Sequence, residues 1–234
     1  MRRSLHVTTL LLCFLYPTVS WAISCTGTSY PFDTPTDPQA QSHTFPTITN
    51  GIAFVHVAER SASRSVQGTP TIGGVSTTRI ETKQSSTAQA GELFYLLAPG
   101  SGSLSVSVDW DAVPLTYVLT VVTCDDVHQS SPIYDSNVAT GASGTTITVD
   151  CTSAVGQLVV DFAAADTNST LTTGAGQTNI DQDSADGGAL VAGSSYEDGA
   201  ATVTMSHTIT DDDWSTFCVA LNVASGISGF SRRR

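Results

Sequence analysis

What this chain has least of is positive charge. Of 234 residues, 9 are Lys or Arg against 21 Asp or Glu, and Lys83 is the only lysine. Three of the basic residues close the chain as Arg232, Arg233 and Arg234, which leaves the body more acidic still. A groove that tracks nucleic-acid phosphates needs clustered Lys and Arg, so nucleic acid is excluded as a partner. Charged residues of either sign make up 13% of the chain, and no run carries a 3.6-residue apolar period. Exposed amphipathic helices are thereby excluded, while the abundance of Thr, Ser, Val and Gly favours strands and turns. The sequence also lacks a Gly-x-Ser-x-Gly elbow, a His-Glu-x-x-His helix, a phosphate-binding Gly-rich loop and any Cys-x-x-Cys pair. These absences remove the commonest hydrolase, metalloprotease, nucleotide and zinc chemistries.

The amino terminus carries a targeting pattern. Arg2 and Arg3 precede an apolar run over residues 10–15 and a small-residue exit at Ser20-Trp21-Ala22. This reads as a secretory signal peptide over residues 1–22, too short to span a bilayer, and no other segment is long and apolar enough to do so. Its removal leaves seven basic against 21 acidic residues, a net charge of −14. A second reading places a lipid anchor at Cys25, because Ala22-Ile23-Ser24-Cys25 loosely follows a lipoprotein signal. The chain is therefore expected to be secreted or held at a cell surface. Cys25, Cys124, Cys151 and Cys218 remain after cleavage, and in an exported chain they allow two disulfides with three possible connectivities.

Residues 23–42, rich in Pro, Thr and Asp, read as an extended leader or tether, with pairing along a sheet edge as the alternative. From His43 strand patterns begin. Asn50-Gly51 marks a tight turn before an apolar strand. Residues 93–97 are apolar throughout, as in a strand buried on both faces, and residues 115–122 repeat that pattern. Leu104, Val106 and Val108 alternate with serines, as in a strand buried on one face. The plainest segment covers residues 144–164. There Ile147, Val149 and Cys151 alternate with polar residues, and after a short break Leu158, Val160 and Phe162 follow, which predicts a hairpin. Two further strands around Met205 and Phe217 close the body. The expectation is an all-β fold, one antiparallel sandwich or jelly roll of about nine to eleven strands over residues 43–224, with a short tail at 225–234.

The succession of a turn with Ile72-Gly73-Gly74-Val75, the LFYLLAPGSGSLSVSV segment, CDDVHQSSPI, GTTITVDCTSAVGQLVVDF, TTGAGQT and the closing ATVTMSHTITDDDWSTFCVALNV resembles a β-sandwich module. That module recurs in exported bacterial surface proteins and in phage- and virus-associated proteins. The resemblance implies an extracellular, non-catalytic module with no catalytic residues to carry over. Cysteines at 124, 151 and 218 depart from it and are candidate cross-links.

Site candidates are few. Asp181, Asp183 and Asp186 lie within a Gly-containing acidic stretch that resembles a calcium-binding loop, although Ala185 and Ala192 stand where ligands would be expected. Calcium is thus the one cofactor considered, and none is required. Asp211-Asp212-Asp213 is a second acidic cluster. Asp109 and Asp111 flank Trp110, an arrangement that could serve sugar hydrolysis or mark a strand end. Trp110 and Trp214, with Tyr134 and Tyr196, are candidate ligand platforms. Of His43, His56, His128 and His207, His56 and His207 lie within strands without an identified partner and read as structural. Three functions are compatible with these features. The first is a surface, adhesion or structural module that contacts other surface proteins, glycans or copies of itself. The second is a carbohydrate-binding or carbohydrate-active protein, and the third a fibre subunit that exchanges its amino-terminal segment with a neighbour.

Overall fold

The computed structural model describes residues 23–60, 63–85, 88–166 and 170–224. The expected signal peptide and the tail lie outside the described residues. Among those described, seventeen strands and one 3-10 turn form four antiparallel sheets, with no α-helix. The all-β expectation holds, and the strand count exceeds the nine to eleven expected.

The first half contributes β1 (Cys25–Phe32), β2 (Gln39–Phe45), β3 (Ile52–Glu59), β4 (Thr71–Ile72), β5 (Val75–Ser76), β6 (Thr78–Ser85), β7 (Ala90–Leu97), β8 (Gly102–Val108) and β9 (Tyr117–Cys124). The second contributes β10 (Ile133–Gly141), β11 (Thr146–Thr152), β12 (Leu158–Ala165), β13 (Thr172–Thr173), β14 (Thr178–Ala185), β15 (Leu190–Asp198), β16 (Thr202–Thr208) and β17 (Trp214–Leu221). Each half builds a five-stranded sheet, β1-β9-β3-β7-β6 or β10-β17-β12-β15-β14, and a smaller one, β2-β8-β4-β5 or β11-β16-β13. The two orders are the same topology twice. Each is a jelly roll in which β6, or β14, has joined the larger sheet by pairing with the strand that follows it. The expected single sandwich is therefore two, packed through their five-stranded sheets.

Patterning explains the layers. β3, β9 and β12 are buried at every residue, as strands in the two middle layers must be. β11 alternates exposed and buried positions throughout, as an outer strand must. Ile52, Phe54, Leu93 and Val122 meet Val160, Phe162, Phe217 and Val219 between the halves. Phe45, Ile72, Val106 and Trp110 pack on the other face of the first large sheet, and Val149, Cys151, Val203 and Met205 on that of the second.

Residues 144–164 are not a hairpin. β11 pairs with β16 and β12 with β15 and β17, so residues 153–157 form an arch between an outer and a middle layer. The change from alternating to continuous burial is the physical reason, since a hairpin would give both strands the same two environments. The expected leader is also structured. β1 pairs with β9 along its whole length and β2 with β8, so residues 25–45 are edge strands of the chain's own sheets. Strand exchange would have to displace both.

The duplication shows at the seam between halves, where β1 lies beside β14 and β6 beside β10. Thr78-Arg79-Ile80-Glu81 and Thr178-Asn179-Ile180-Asp181 occupy matching places, and each has a register shift, at Arg79/Glu81 and at Asn179/Asp181. Ile80 and Ile180 both reach the central core. Asp181 accepts the Ser29 N–H of β1, and Glu81 accepts the Ser136 hydroxyl of β10 at 2.8 Å.

Candidate functional site

The structure disperses most of the sequence candidates. Asp181 is engaged at the seam, Asp183 accepts its neighbour's Ser184 N–H, and Asp186 pairs with Arg60 at 2.6 Å. The three do not converge, and no group of three His, Cys, Asp or Glu side chains among the described residues is arranged to hold a metal ion. The Asp211–Asp213 cluster serves the backbone instead. Asp211 accepts the Gly144 N–H, and Asp213, largely buried, accepts that of Ala88 at 2.7 Å. Asp166, beside Arg60, has its carboxyl pushed up by burial against the opposing pull of that guanidinium.

Trp110 is 2% exposed and packs edge-on against Tyr117 at 4.9 Å, so it is a core residue and no ligand platform. Because Trp110 points inward, Asp109 and Asp111 point out. Asp111 accepts the Ser65 and Ala112 N–H groups at the end of the sandwich. Trp214 is half-buried and covers Gly141, where an added Cβ would lie 2.5 Å from its ring. Cys25 is bonded to Cys124, so its sulfur is not available for a lipid, and Cys151 is bonded to Cys218. The first bridge ties β1 to β9, and the second ties the outer sheet of its half to the inner one. Two disulfides fit an oxidising compartment outside the cytosol.

Three buried acids escaped the sequence reading, Asp161, Glu92 and Glu59, and the first two have well-defined partners. Asp161, 0% exposed in the apolar β12, accepts the Ser195 N–H at 2.8 Å and the Ser195 hydroxyl at 2.6 Å, and its other oxygen lies 2.6 Å from His207 Nε2. Ser, Asp and His thus meet, but with the carboxylate in the middle and the serine donating to it. A nucleophile needs the base on its own hydroxyl. The trio is a polar strut between layers, extended by Gln177, which donates to Ser195 and accepts from the Ser206 N–H. Glu92 in β7 is the second such acid. It pairs with Arg79, whose guanidinium lies 4.6 Å over Phe94, and accepts the Val66 N–H at 2.7 Å. In both cases the sequence signal is a single acid in an otherwise apolar strand, since a buried carboxylate must be paired.

A concavity lies at the end of the molecule that carries the connection between halves. A cavity of about 320 Å³ is floored by Ile48, Gly51 and Pro99 and rimmed by Thr47, Ser101 and Gln129. A second, of about 290 Å³, adjoins it through Asn50 and Gln129 and reaches His128 and Ala224. Three non-glycine residues with positive φ gather here: Asn50 at 50°, Ala98 at 47° and Asp126 at 53°. They are fixed by backbone hydrogen bonds from Ala98 to Gly51, from Asp126 to Thr49 and from Val127 to Asn50. Such conformations cost about 1–3 kcal/mol each and hold only where surroundings over-determine them. Gln129 donates to the Val127 carbonyl at 2.9 Å, and His128 Nδ1 accepts the Ser131 N–H at 3.1 Å. The Asp126 carboxyl nearby is pushed up by burial and by Asp125. The rim of the first cavity is amide and hydroxyl over an apolar floor, and in the second the His128 Nδ1 also lies 3.1 Å from the Ser131 hydroxyl and 3.4 Å from that of Ser130. Such a rim can hold a neutral polar group.

No protein family, curated protein or solved structure matches the chain.

Proposed function

We propose that the chain is an exported, non-catalytic surface module that works by contact, as an adhesive or structural element of a cell envelope or particle. The observation that carries this reading is the fate of the chemically capable groups. Asp161, His207 and Ser195 are locked in a buried strut, Glu92 in a buried ion pair, and His56 in the central core. Apart from His128 and its two serine hydroxyls at the loop cleft, what is left for function is rigid display of loops, which two disulfide-stapled jelly rolls suit. The amino-terminal signal and the resemblance to exported surface modules favour the same location and class.

Carbohydrate binding is the second reading, and one feature favours it: the neutral rim of Asn50, Ser101 and Gln129 over the Ile48 and Pro99 floor. Hydrolysis has no such support, because Asp109 and Asp111 are exposed acids at a strand end and Asp111 is engaged with the Ser65 and Ala112 N–H groups. Fibre formation by strand exchange is disfavoured, because β1 and β2 are already paired within the chain.

The test is adhesion of beads coated with residues 23–234 to envelope fragments and to a glycan array, with Asn50→Ala/Gln129→Ala as the comparison. Saturable binding, weakened by the double variant, supports the reading. Release of reducing sugar from a polysaccharide panel by the pure protein would overturn it.

A further inference from the structure

The duplicated fold provides an internal standard for one crevice. In the first half the edge strands β1 and β2 are bridged by an aromatic pair: Tyr30 Oη lies 2.9 Å from His43 Nδ1, with the rings edge-on. Phe45 packs against the His43 ring at 4.6 Å. Register identifies the counterparts in the second half. Tyr30 faces Leu119 and Ala139 faces Thr216, and these partners stand equally far from Cys124 and Leu221, which face Ile52 and Leu158 at the starts of β3 and β12. His43 faces Leu104 and Val149 faces Met205, in strands aligned by Thr71 opposite Ser107 and Thr172 opposite Thr208. Ala139 and Val149 thus stand where Tyr30 and His43 stand.

The consequence is an opening. A cavity of about 430 Å³ lies between β10 and β11, floored by Ala139 and Val149 and rimmed by Asn137, Asp150 and Thr204. Both strands are terminal in their sheets, so each turns an unpaired edge toward this groove. Side chains of β10 cap β11 at two points: Asn137 Nδ2 donates to the Asp150 carbonyl at 2.9 Å, and Asp135 accepts the Thr152 N–H at 2.7 Å. The stretch of β11 before these caps, at Thr148, has no strand beside it on that edge. Asp135 and Asp150 make the rim acidic.

The geometry points to this groove as a docking site for an extended peptide of a partner polypeptide. The peptide's backbone adds to the β11 edge, and one aromatic side chain fills the space over Ala139 and Val149. The acidic rim favours Lys or Arg beside the aromatic residue. This goes beyond the surface-contact reading, and it stands or falls separately from the loop cleft at Asn50 and Gln129.

The test is to pan a random heptapeptide phage library on immobilised residues 23–234, and to measure enriched peptides, fluorescein-labelled, by anisotropy. Expected are sequences with one aromatic among β-branched and basic residues. Their binding should weaken about tenfold or more in Ala139→Tyr, which restores the first-half residue, and again in Thr204→Arg, which sets a cation on the rim. Asn50→Ala should leave it unchanged. Thr204→Arg, at an exposed position, keeps the test open if Ala139→Tyr fails to fold. No enrichment over uncoated support, or binding that survives Thr204→Arg and any folded Ala139→Tyr, overturns the proposal. Sedimentation as a dimer that either variant converts to monomer would also overturn it, by giving the groove to a second copy of the chain.

Discussion

His56 gives the sharpest physical test of the two-module arrangement. It is fully buried on the inward face of β3, 5.7 Å from the Phe162 ring and 5.6 Å from the Phe217 ring of the other half. Neither ring nitrogen has a hydrogen-bond partner, and burial pushes its pKa down to about 3. In the unfolded chain the value is about 6.5. Between these values the unfolded state binds a proton that the folded state refuses. Stability from this group is therefore complete above about pH 6.5, falls as the pH drops, and levels off below about 3. The slope is about 1.4 kcal/mol per pH unit. His56→Leu removes the titration and also an unpaired buried polar group, worth about 1–3 kcal/mol at neutral pH. Urea unfolding of both proteins at pH 7.5 and pH 4.5 should show the variant's advantage growing by about 3 kcal/mol, the product of that slope and two pH units. Carboxylate titrations cancel in this difference because both proteins share them. A difference that stays constant with pH would refute the reasoning, because it would mean that His56 reaches solvent or a partner and that the halves do not close over it.

The remaining expectations concern the struts and staples. Asp161→Asn should cost about 3–5 kcal/mol, because His207 and Ser195 lose a buried charged partner, while Asp161→Leu/His207→Leu should cost less than the sum of its single changes. A urea double-mutant cycle measures both. Replacing Cys151 and Cys218 by Ala frees a loop of 67 residues, and replacing Cys25 and Cys124 one of 99. Chain entropy puts the losses at about 4.4 and 4.7 kcal/mol, so denaturant melts of the two pairs should agree within a few tenths. Trp110→Ala should destabilise by about 3–5 kcal/mol through its cavity, without changing glycan-array binding by the folded fraction. Asp181→Ala and Glu81→Ala should each lower the melting temperature equally in calcium and in chelator. A loss confined to calcium buffer in Asp181→Ala would return that residue to a cation site.

Burial was the legible part of this fold. The alternation in β11 and β16 and the apolar run within β9 meet the environments their patterns imply, whereas the run at 93–97 is fully buried only at Leu93 and Phe94, and Leu115, expected in the buried run 115–122, lies before β9 and is 77% exposed. Partner choice was less legible, because a five-residue connection such as 153–157 serves an arch as well as a hairpin. β1 was hidden for another reason. Its Pro31 and Gly27 argue against a strand in isolation, yet an edge strand tolerates proline, and Gly27 is needed where a Cβ would lie 2.8 Å from the Val121 carbonyl. The duplication was nearly erased, surviving as Thr-x-Ile-Glu against Thr-x-Ile-Asp and as Tyr95 against Tyr196. Of the candidate site residues, Trp110 could have been placed in the core from alternation alone, since its acidic neighbours had to face the other way. The loop cleft could not have been found so, because it joins residues from 47 to 129 through backbone geometry that no local pattern encodes.

Two copies of one topology in a single chain need not remain alike, and where they differ is informative. The seam is kept on both sides: Ser29 with Asp181 and Ser136 with Glu81 secure opposite margins of the same interface, with Ile80 and Ile180 beside them. A homodimer would have to place identical residues at both margins. Here one covalent chain holds the halves together at any dilution, so each outer crevice is free to change without loss of assembly. The first half fills its crevice with Tyr30 and His43, while the second has Ala139 and Val149 and an open groove. If the groove were a packing defect, Ala139→Tyr should raise stability by filling it, as larger core side chains do where space permits. If it is a binding site, the same change should remove peptide binding, whatever it does to the melting temperature.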